Sequence, residues 1–564
     1  MNRLRKSGLN LLLIFVLVVL SFSRSFSQEP VNEQLFTNGS IYINADKKVD
    51  NLLVKDGVVA GYNVAPAEHG KATVIDLKGA AAYPGFCDSH VHLMEAGYSL
   101  YVGAYLLGTT DADSMAKVLE EKVKSIPDGG IILGLGYSLR DYDKWSLADL
   151  AKIDAVTGDH PAFLCDTLGH NAVINTAAMK LTNVTPKTPV PPGGKMGIEN
   201  GRLTGMMRES AMNLPGVKIF SMADPKDIKI GTLKLLQRWA SIGYTGAVDP
   251  MGGPGFRIMH PEIFKEMEKE GTLPLRINYC YVIFNLNDVD DAARCMGLDT
   301  DLVRFAGCKV FVDGAFSGGQ AWTGWKNRQG GHGLQEVFTD DKEGFQLNLN
   351  RIVAKIEEYG MNVQYHAQGD KAIGAILDAL DKVMAAQGRL KGIHIITHAA
   401  FTTDAEIARI KKSDGHVVIT AQPGFWPVES DTAYYYGDRA SRAYPIKKLI
   451  DSGISVGIST DFSVSPPQYT PASVVIGVAA TGGGDPKNHP PIGIQEMIRG
   501  LTLGSAMTTG KDDVGTLDIG KKADLVIYET DLLTVPPEKF TAAYPRVLST
   551  WLGGRKVYDA SAVK

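Results

Sequence analysis

The sequence predicts an α/β protein built on a closed, eight-stranded parallel barrel, with a small β domain made from both chain ends and a long insertion after the first barrel strand. Three observations lead there. From Pro225 onward, apolar strand-like runs alternate with amphipathic helical stretches, the pattern of repeated βα units. Both ends of the chain instead carry short strand-like segments separated by Asp, Gly and Pro turns. Polar side chains then recur at the C-terminal ends of successive barrel strands, where such a barrel places its active site.

The 564 residues exceed one ordinary core. A formal net charge of −4 offers no electrostatic reason for a nucleic-acid partner. The five cysteines, Cys87, Cys165, Cys280, Cys295 and Cys308, are an odd and sparse set rather than a disulfide framework.

Residues 1–27 read as a signal peptide. Arg3, Arg5 and Lys6 precede an apolar run from Leu9 to Leu20, and Ser25-Phe26-Ser27 offers small residues before a cut near Gln28. The run is too short for a comfortable membrane span. The mature protein is therefore expected to be exported, periplasmic or secreted, without a stable membrane span after cleavage; an uncleaved anchor is the alternative. Residues 28–83 and 514–564 supply the two parts of the small β domain. Ile41-Tyr42-Ile43, Asn51–Val54, Val58-Val59-Ala60 and Ala72–Leu77 come from one end, Ala523–Tyr528 and Leu548–Val557 from the other.

Residues 84–513 form the barrel. Its first strand runs through a Pro84-Gly85 break to Asp88-Ser89-His90-Val91-His92. The insertion, 100–224, shows a helix-like Ala112–Ile126, a strand candidate at Ile131–Gly134 and a Pro/Gly-rich stretch, without a clean repeat. It is expected to lie over one face and shape specificity. Helical Pro225–Ser241 then precedes the strand Thr245–Asp249, and helical Pro261–Lys269 precedes Leu275–Val282. The fourth strand is Arg304–Asp313. Leu349, Ile352, Val353 and Ile356 mark a helical face that Gly360 stops. Asn362–His366, Ile393–His398, Val417–Thr420 and Ile454–Asp461 complete the eight strands.

On an extended backbone, positions i and i+2 share a side, so His90 and His92 can converge on one metal ion, and Asp88 has their parity. The other strand ends offer Lys309 (fourth), His366 (fifth), His398 (sixth) and Asp461 (eighth). Singly, His366 and His398 read equally well as core histidines and Asp461 as a turn cap. Six such residues at the same end of successive strands are far more specific. Lys309 lies inside the apolar run Phe305–Val312, where a lysine is excluded unless paired. A desolvated lysine loses its proton readily. Its neutral amine can add carbon dioxide, giving a carbamate able to bridge two metals; a snorkelling or ion-paired lysine is the alternative.

These residues, with the strings Lys309-Val310-Phe311-Val312-Asp313-Gly314, His366-Ala367-Gln368-Gly369-Asp370-Lys371-Ala372 and Gly169-His170-Asn171, resemble the metal-dependent amidohydrolase superfamily. The nearest branch is amidohydrolase family 3, with its YtcJ-like and N-substituted formamide deformylase-like members. The resemblance implies a TIM barrel plus a small β-sandwich from both termini. It implies a metal centre of His90, His92, His366, His398 and Asp461, with Lys309 carboxylated. The imidazole-rich set points to one or two divalent ions, zinc before others.

The expected activity is hydrolysis of a non-peptide carbon–nitrogen bond in a small molecule by a metal-activated water. Asp461 would bind metal and move the proton from water to the leaving nitrogen, with Lys309 and His398 sharing the catalytic centre. His170, His394 and Glu209 are candidates for substrate-side contacts. For His170 a surface position is the alternative, and for Glu209 a solvated helix face. A lactone or ester hydrolase and a non-catalytic exported metal-binding protein are the competing readings, and a homo-oligomer is left open. The sequence departs from the family at Thr397, where relatives carry an acidic residue, and at Gln368, where they carry an aliphatic one. Loops rich in aromatics, including Trp322, Trp325, Phe425 and Trp426, are expected to line a pocket or pack a lid.

Overall fold

The computed structural model describes residues 33–562 apart from 140, 168, 192, 253–260, 340–347, 429–433, 462–471 and 543–544. The expected signal segment, 1–27, lies outside the described residues. No helix among those described is long and apolar enough to cross a membrane.

The barrel is an eight-stranded parallel sheet whose spatial order follows the chain. Its strands are Phe86–Asp88, Tyr244–Gly252, Arg276–Val282, Val303–Phe311, Val363–Ala367, His394–His398, Val417–Ala421 and Val456–Ile458. Strands covered by helices outside and by one another inside have no solvated face, so they are buried along their length and largely apolar. Accordingly every residue of the fifth, sixth and seventh strands is buried. The helices expected at Pro225–Ser241 and Pro261–Lys269 occupy those spans. Gly360 ends the helix Leu349–Tyr359 in the left-handed conformation, φ 68°, which costs glycine least.

The seam between the first and last strands is closed just beyond their ends. Ser89 N donates to Ile458 O at 3.2 Å, Asp461 N to His90 O at 2.9 Å and His92 N to Asp461 O at 3.3 Å. The buried Asp88 carboxylate reinforces it, accepting from His90 N at 3.0 Å, Thr460 N at 3.0 Å and Thr460 Oγ1 at 2.8 Å. Asp88 is thus a clamp across the seam.

His92 starts the helix Leu93–Tyr101, which packs on Pro225–Ser241. The crossing is backbone to backbone. A Cβ on Gly97 would stand 2.7 Å from Thr232 Cα, and one on Gly231 would stand 2.6 Å from Gly97 O.

The insertion is more ordered than its sequence suggests. It carries a six-stranded sheet of Ala104–Tyr105, Ile132–Tyr137, Ala162–Asp166, Asn171–Ile174, Lys195–Glu199 and Arg202–Arg208. Most of these strands are short, and several pair with partners far along the chain, so local periodicity carries little of their signal. Strands from both ends of the described chain meet in a further eight-stranded sheet, in which Leu525–Tyr528 lies antiparallel to Ala81–Pro84. This sheet is tied to the N-terminal end of the barrel by a buried ion pair, Arg276 reaching Asp524 at 2.6 and 3.1 Å. Next to it Arg304 reaches the half-buried Asp513 at 2.7 and 2.9 Å.

Candidate metal centre

The C-terminal mouth of the barrel gathers His90 and His92 from the first strand end, His398 from the sixth and Asp461 from the eighth. All four are buried. Ligand atoms of His90, His398 and Asp461 lie within 4.8 Å of one another. His90 Nε2 and His92 Nε2 each stand 3.4 Å from the same oxygen, Asp461 Oδ1. Two donors each about 2.0–2.2 Å from a tetrahedral ion are separated by roughly 3.3–3.6 Å. The spacing therefore fits a shared cation better than a set of hydrogen bonds. The buried Nε2 of His90 also lacks a hydrogen-bond partner among the described residues. A buried ring nitrogen left bare is costly and is what a cation would satisfy.

The backbone is strained at the same place. His398 has φ 76° and Asp461 φ 58°, left-handed values that a branched or bulky side chain reaches only when its surroundings impose them.

His366 comes to this cluster through His398, its Nδ1 lying 2.9 Å from His398 Nε2. That contact is a hydrogen bond when one proton sits between the rings, and a pair of ligands when a cation does. Behind His366, Asp313 Oδ1 is 3.8 Å from Nε2. Asp313 itself accepts from three backbone amides, Trp322 N, Gln368 N and Gly369 N, at 2.8–2.9 Å. Lys309 is buried, with Nζ 4.8 Å from the centroid of the Phe311 ring.

Electrostatics sort these groups. Burial drives the Lys309 amine down to about 8. Burial and the Lys309 charge hold His90 down to about 4. Burial also pulls on His92, but hydrogen bonding to Asp461 and to Glu95, whose carboxylate lies 3.3 Å from Nδ1, raises it to about 9. Burial would raise Asp461; the His90 and His92 contacts and the nearby imidazole charges outweigh it and hold the carboxyl well below its usual range. Burial, followed by mutual charge repulsion for His366 and partly offset by Asp461 for His398, keeps both imidazoles neutral.

From the insertion come His170 and Glu209, paired at 2.6 Å between Nδ1 and Oε2. The His170 ring lies 4.7 Å from that of His366. Glu209 is buried, with φ 48°, and its other oxygen accepts from Ala315 N at 2.8 Å, so it does not lie on a solvated helix face. His394 is not brought to the cluster. It opens the sixth strand where His398 closes it, with Nε2 2.8 Å from Glu357 and Nδ1 3.0 Å from the Tyr365 hydroxyl. Its expected substrate contact is corrected accordingly.

The aromatic loops interlock beside His398. Phe316 packs on Phe401, Tyr436 and Tyr444 with centroids 4.6–5.5 Å apart, and the Phe425 ring lies nearly parallel to that of His398 at 6.4 Å. Two residues escaped the sequence reading. Gln364 Oε1 is 2.8 Å from His90 Nδ1, and Gln422 Oε1 is 3.1 Å from His398 Nδ1. A polar residue two places before His366, inside an apolar strand, was the available signal for Gln364.

Comparison with known proteins gives the family and the fold. The sequence profile of the amidohydrolase family matches residues 73–558. YtcJ of Bacillus subtilis strain 168 is 25% identical over 551 residues, covering 93% of this chain and 99% of its own. N-substituted formamide deformylase of Arthrobacter pascens is 24% identical over 483 residues, 82% of this chain and 85% of its own. A solved structure of an uncharacterized metal-dependent hydrolase from Pyrococcus horikoshii OT3 superposes with a TM-score of 0.70 at 22% identity, over 90% of this chain and 99% of that one. This last is a likeness of fold.

Proposed function

This chain belongs to the amidohydrolase family, and on that premise we propose that it hydrolyses a non-peptide carbon–nitrogen bond of a small molecule at the barrel mouth. The observation that carries the proposal is the buried convergence of His90, His398 and Asp461 within 4.8 Å, with His92 on the same carboxylate oxygen. His90, His92, His398 and Asp461 would hold a divalent cation, joined by His366 and Lys309 where there are two. The imidazole-rich set favours zinc. Such an ion polarises a carbonyl and acidifies water.

The side chains do the rest. Asp461 stays ionised and faces both His90 and His92, so its carboxylate is placed to take a proton from the attacking water as the oxygen adds to the carbonyl carbon. When the carbon–nitrogen bond breaks, that proton passes to the leaving nitrogen, giving a carboxylic acid and an amine. His170, fixed by Glu209, stands on the insertion side of the cluster and orients the substrate. The Lys309 amine, held at about 8, has enough neutral form near neutral pH to add carbon dioxide. The resulting carbamate would supply a carboxylate inside an otherwise apolar wall.

Metal analysis of the purified protein and of His90→Ala, with turnover of a panel of amides, N-acyl compounds and lactones, tests this reading. Cation in the wild type, its loss in the variant and turnover of amides are expected. A metal-free but active wild type, or turnover confined to lactones, would overturn it. A carbamate carbon signal after supplying labelled bicarbonate and metal is expected for Lys309; an unmodified amine in active enzyme removes that element. Export read from residues 1–27 is part of the same proposal, and a mature N-terminus near Gln28 by mass spectrometry is its expected signature.

A further inference from the structure

Behind each histidine of the cluster stands one polar side chain, and the four are not of one kind. Glu95 and Asp313 place carboxylates at 3.3 and 3.8 Å from His92 and His366, whereas Gln364 and Gln422 place amide oxygens at 2.8 and 3.1 Å from His90 and His398. Gln364 is the better determined. It crosses the barrel interior from the fifth strand to the end of the first, a contact between residues 274 apart in sequence. Its Nε2 donates to Ser89 O at 3.1 Å. A carbonyl oxygen can only accept, so this bond fixes which end of the amide is nitrogen and turns Oε1 toward His90. An amide oxygen likewise only accepts. His90 Nδ1 must therefore carry the proton, and Nε2, the atom 3.4 Å from Asp461, is bare. Gln422 stands likewise behind His398, its Nε2 2.7 Å from Ser459 Oγ. That hydroxyl donates as well as accepts, so the orientation of this amide follows from His398 rather than from its far partner.

We propose that Gln364 and Gln422 are the positioning residues of the centre, each clamping one histidine in the tautomer that presents a bare Nε2 to the cation. The assignment rests on the metal-centre reading above and adds to it the residues that set donor direction. An amide in this place orients the ring without adding an acid behind it, whereas Glu95 and Asp313 put a carboxyl group behind theirs. The centre is thereby electronically uneven, with two histidines backed by neutral groups and two by acids. Groups in this position commonly change metal affinity 10- to 100-fold when removed.

The experiment is zinc affinity by chelator competition on the full-length mature protein, stripped of metal and reloaded with Zn2+. Gln364→Leu, similar in volume but unable to accept, is expected to weaken Zn2+ binding about 10- to 100-fold, and Gln422→Leu to do likewise. Gln364→Glu, which restores an acceptor, is expected to bind at least as tightly as wild type. That rescue separates orientation of His90 from simple filling of space. Where Leu gives no folded protein, Gln364→Asn, which keeps an amide but withdraws it by one methylene, is expected to show the same loss. Wild-type affinity in folded Leu or Asn variants, or equal weakening in Leu and Glu, would overturn the proposal and leave the metal centre standing. A wild-type protein that binds no Zn2+ would instead remove the reading beneath it.

Discussion

The two ends of the sixth barrel strand hold a histidine each, and the two are treated in opposite ways. At the N-terminal end, His394 is neutral and complete. Its Nε2–H donates to Glu357, its Nδ1 accepts from Tyr365, and Glu357 also accepts from Lys391 N and Gly392 N at 2.8 and 3.0 Å. At the C-terminal end, His398 sits on a left-handed backbone, packed against a neighbour whose buried nitrogen has no partner among the described residues. Both sites are equally dry. What separates them is whether the protein satisfies its own polar groups. At one end the partners are a carboxylate and a phenol that lock the histidine in place. At the other His398 shares its Nε2 with a second imidazole on a left-handed backbone, close to a His90 Nε2 that has no hydrogen-bond partner among the described residues.

Several changes would break or sharpen that contrast. The largest effect is expected from Asp461→Asn, which keeps the shape of the mouth but removes its base. Turnover should fall about 10²- to 10⁴-fold, while the metal-free protein melts only modestly lower than wild type, because His90 and His92 hold the carboxylate ionised in the fold. A large fall in Tm would mean that Asp461 is structural. Glu357→Ala is the mirror experiment. It strands the His394 N–H and the Gly392 amide in the interior at a cost of about 3 kcal/mol, read as a lowered denaturation midpoint, with kcat unchanged. Loss of kcat at retained stability would erase the distinction between the ends.

Acid should act through the same residues. Burial holds His394 below its ordinary 6.5, so on acidification the unfolded chain takes up that proton first. The contribution is intact above about 6.5 and declines as pH falls below it. Glu357, which burial alone would raise, is held below its ordinary 4.5 by the His394 hydrogen bond and two backbone amides. Its contribution is present above that value and is lost at still lower pH. Thermal melts of wild type should therefore weaken progressively below about pH 6.5, and His394→Phe should flatten the first part of that decline. A parallel decline in both proteins would place the proton uptake elsewhere. The smallest effect is expected from Gly360→Ala, where φ 68° penalises a Cβ by about 1 kcal/mol, seen as a shifted urea midpoint without change in KM.

Much of this was legible in the sequence, for identifiable reasons. Pro225–Ser241 was readable because proline starts it and its apolar residues keep helical period. The parallel strands were readable because they are mostly apolar and buried. Strand parity put His90 and His92 on one side, and their Nε2 atoms do stand 3.4 Å from one Asp461 oxygen. Sharing a strand with His398 misled at His394, because residues four apart on a strand stand about 13 Å apart along it, enough to reach the other end of the barrel. The insertion's sheet was hidden because strands such as Asn171–Ile174 are four residues long and acquire meaning only from distant partners. Gln364 was signalled only as a polar residue inside a strand, and Gln422, just past the end of Val417–Ala421, not even by that; the role of each depends on the histidine it meets.

The closing seam has a consequence for how the protein comes into being. Asp88 and Thr460, which it joins, are 372 residues apart in the chain, and His90 and Asp461 lie directly beside them. A ribosome must therefore have released nearly the whole barrel before the ion's cradle can form. No fragment that ends before Asp461 contains the complete donor set.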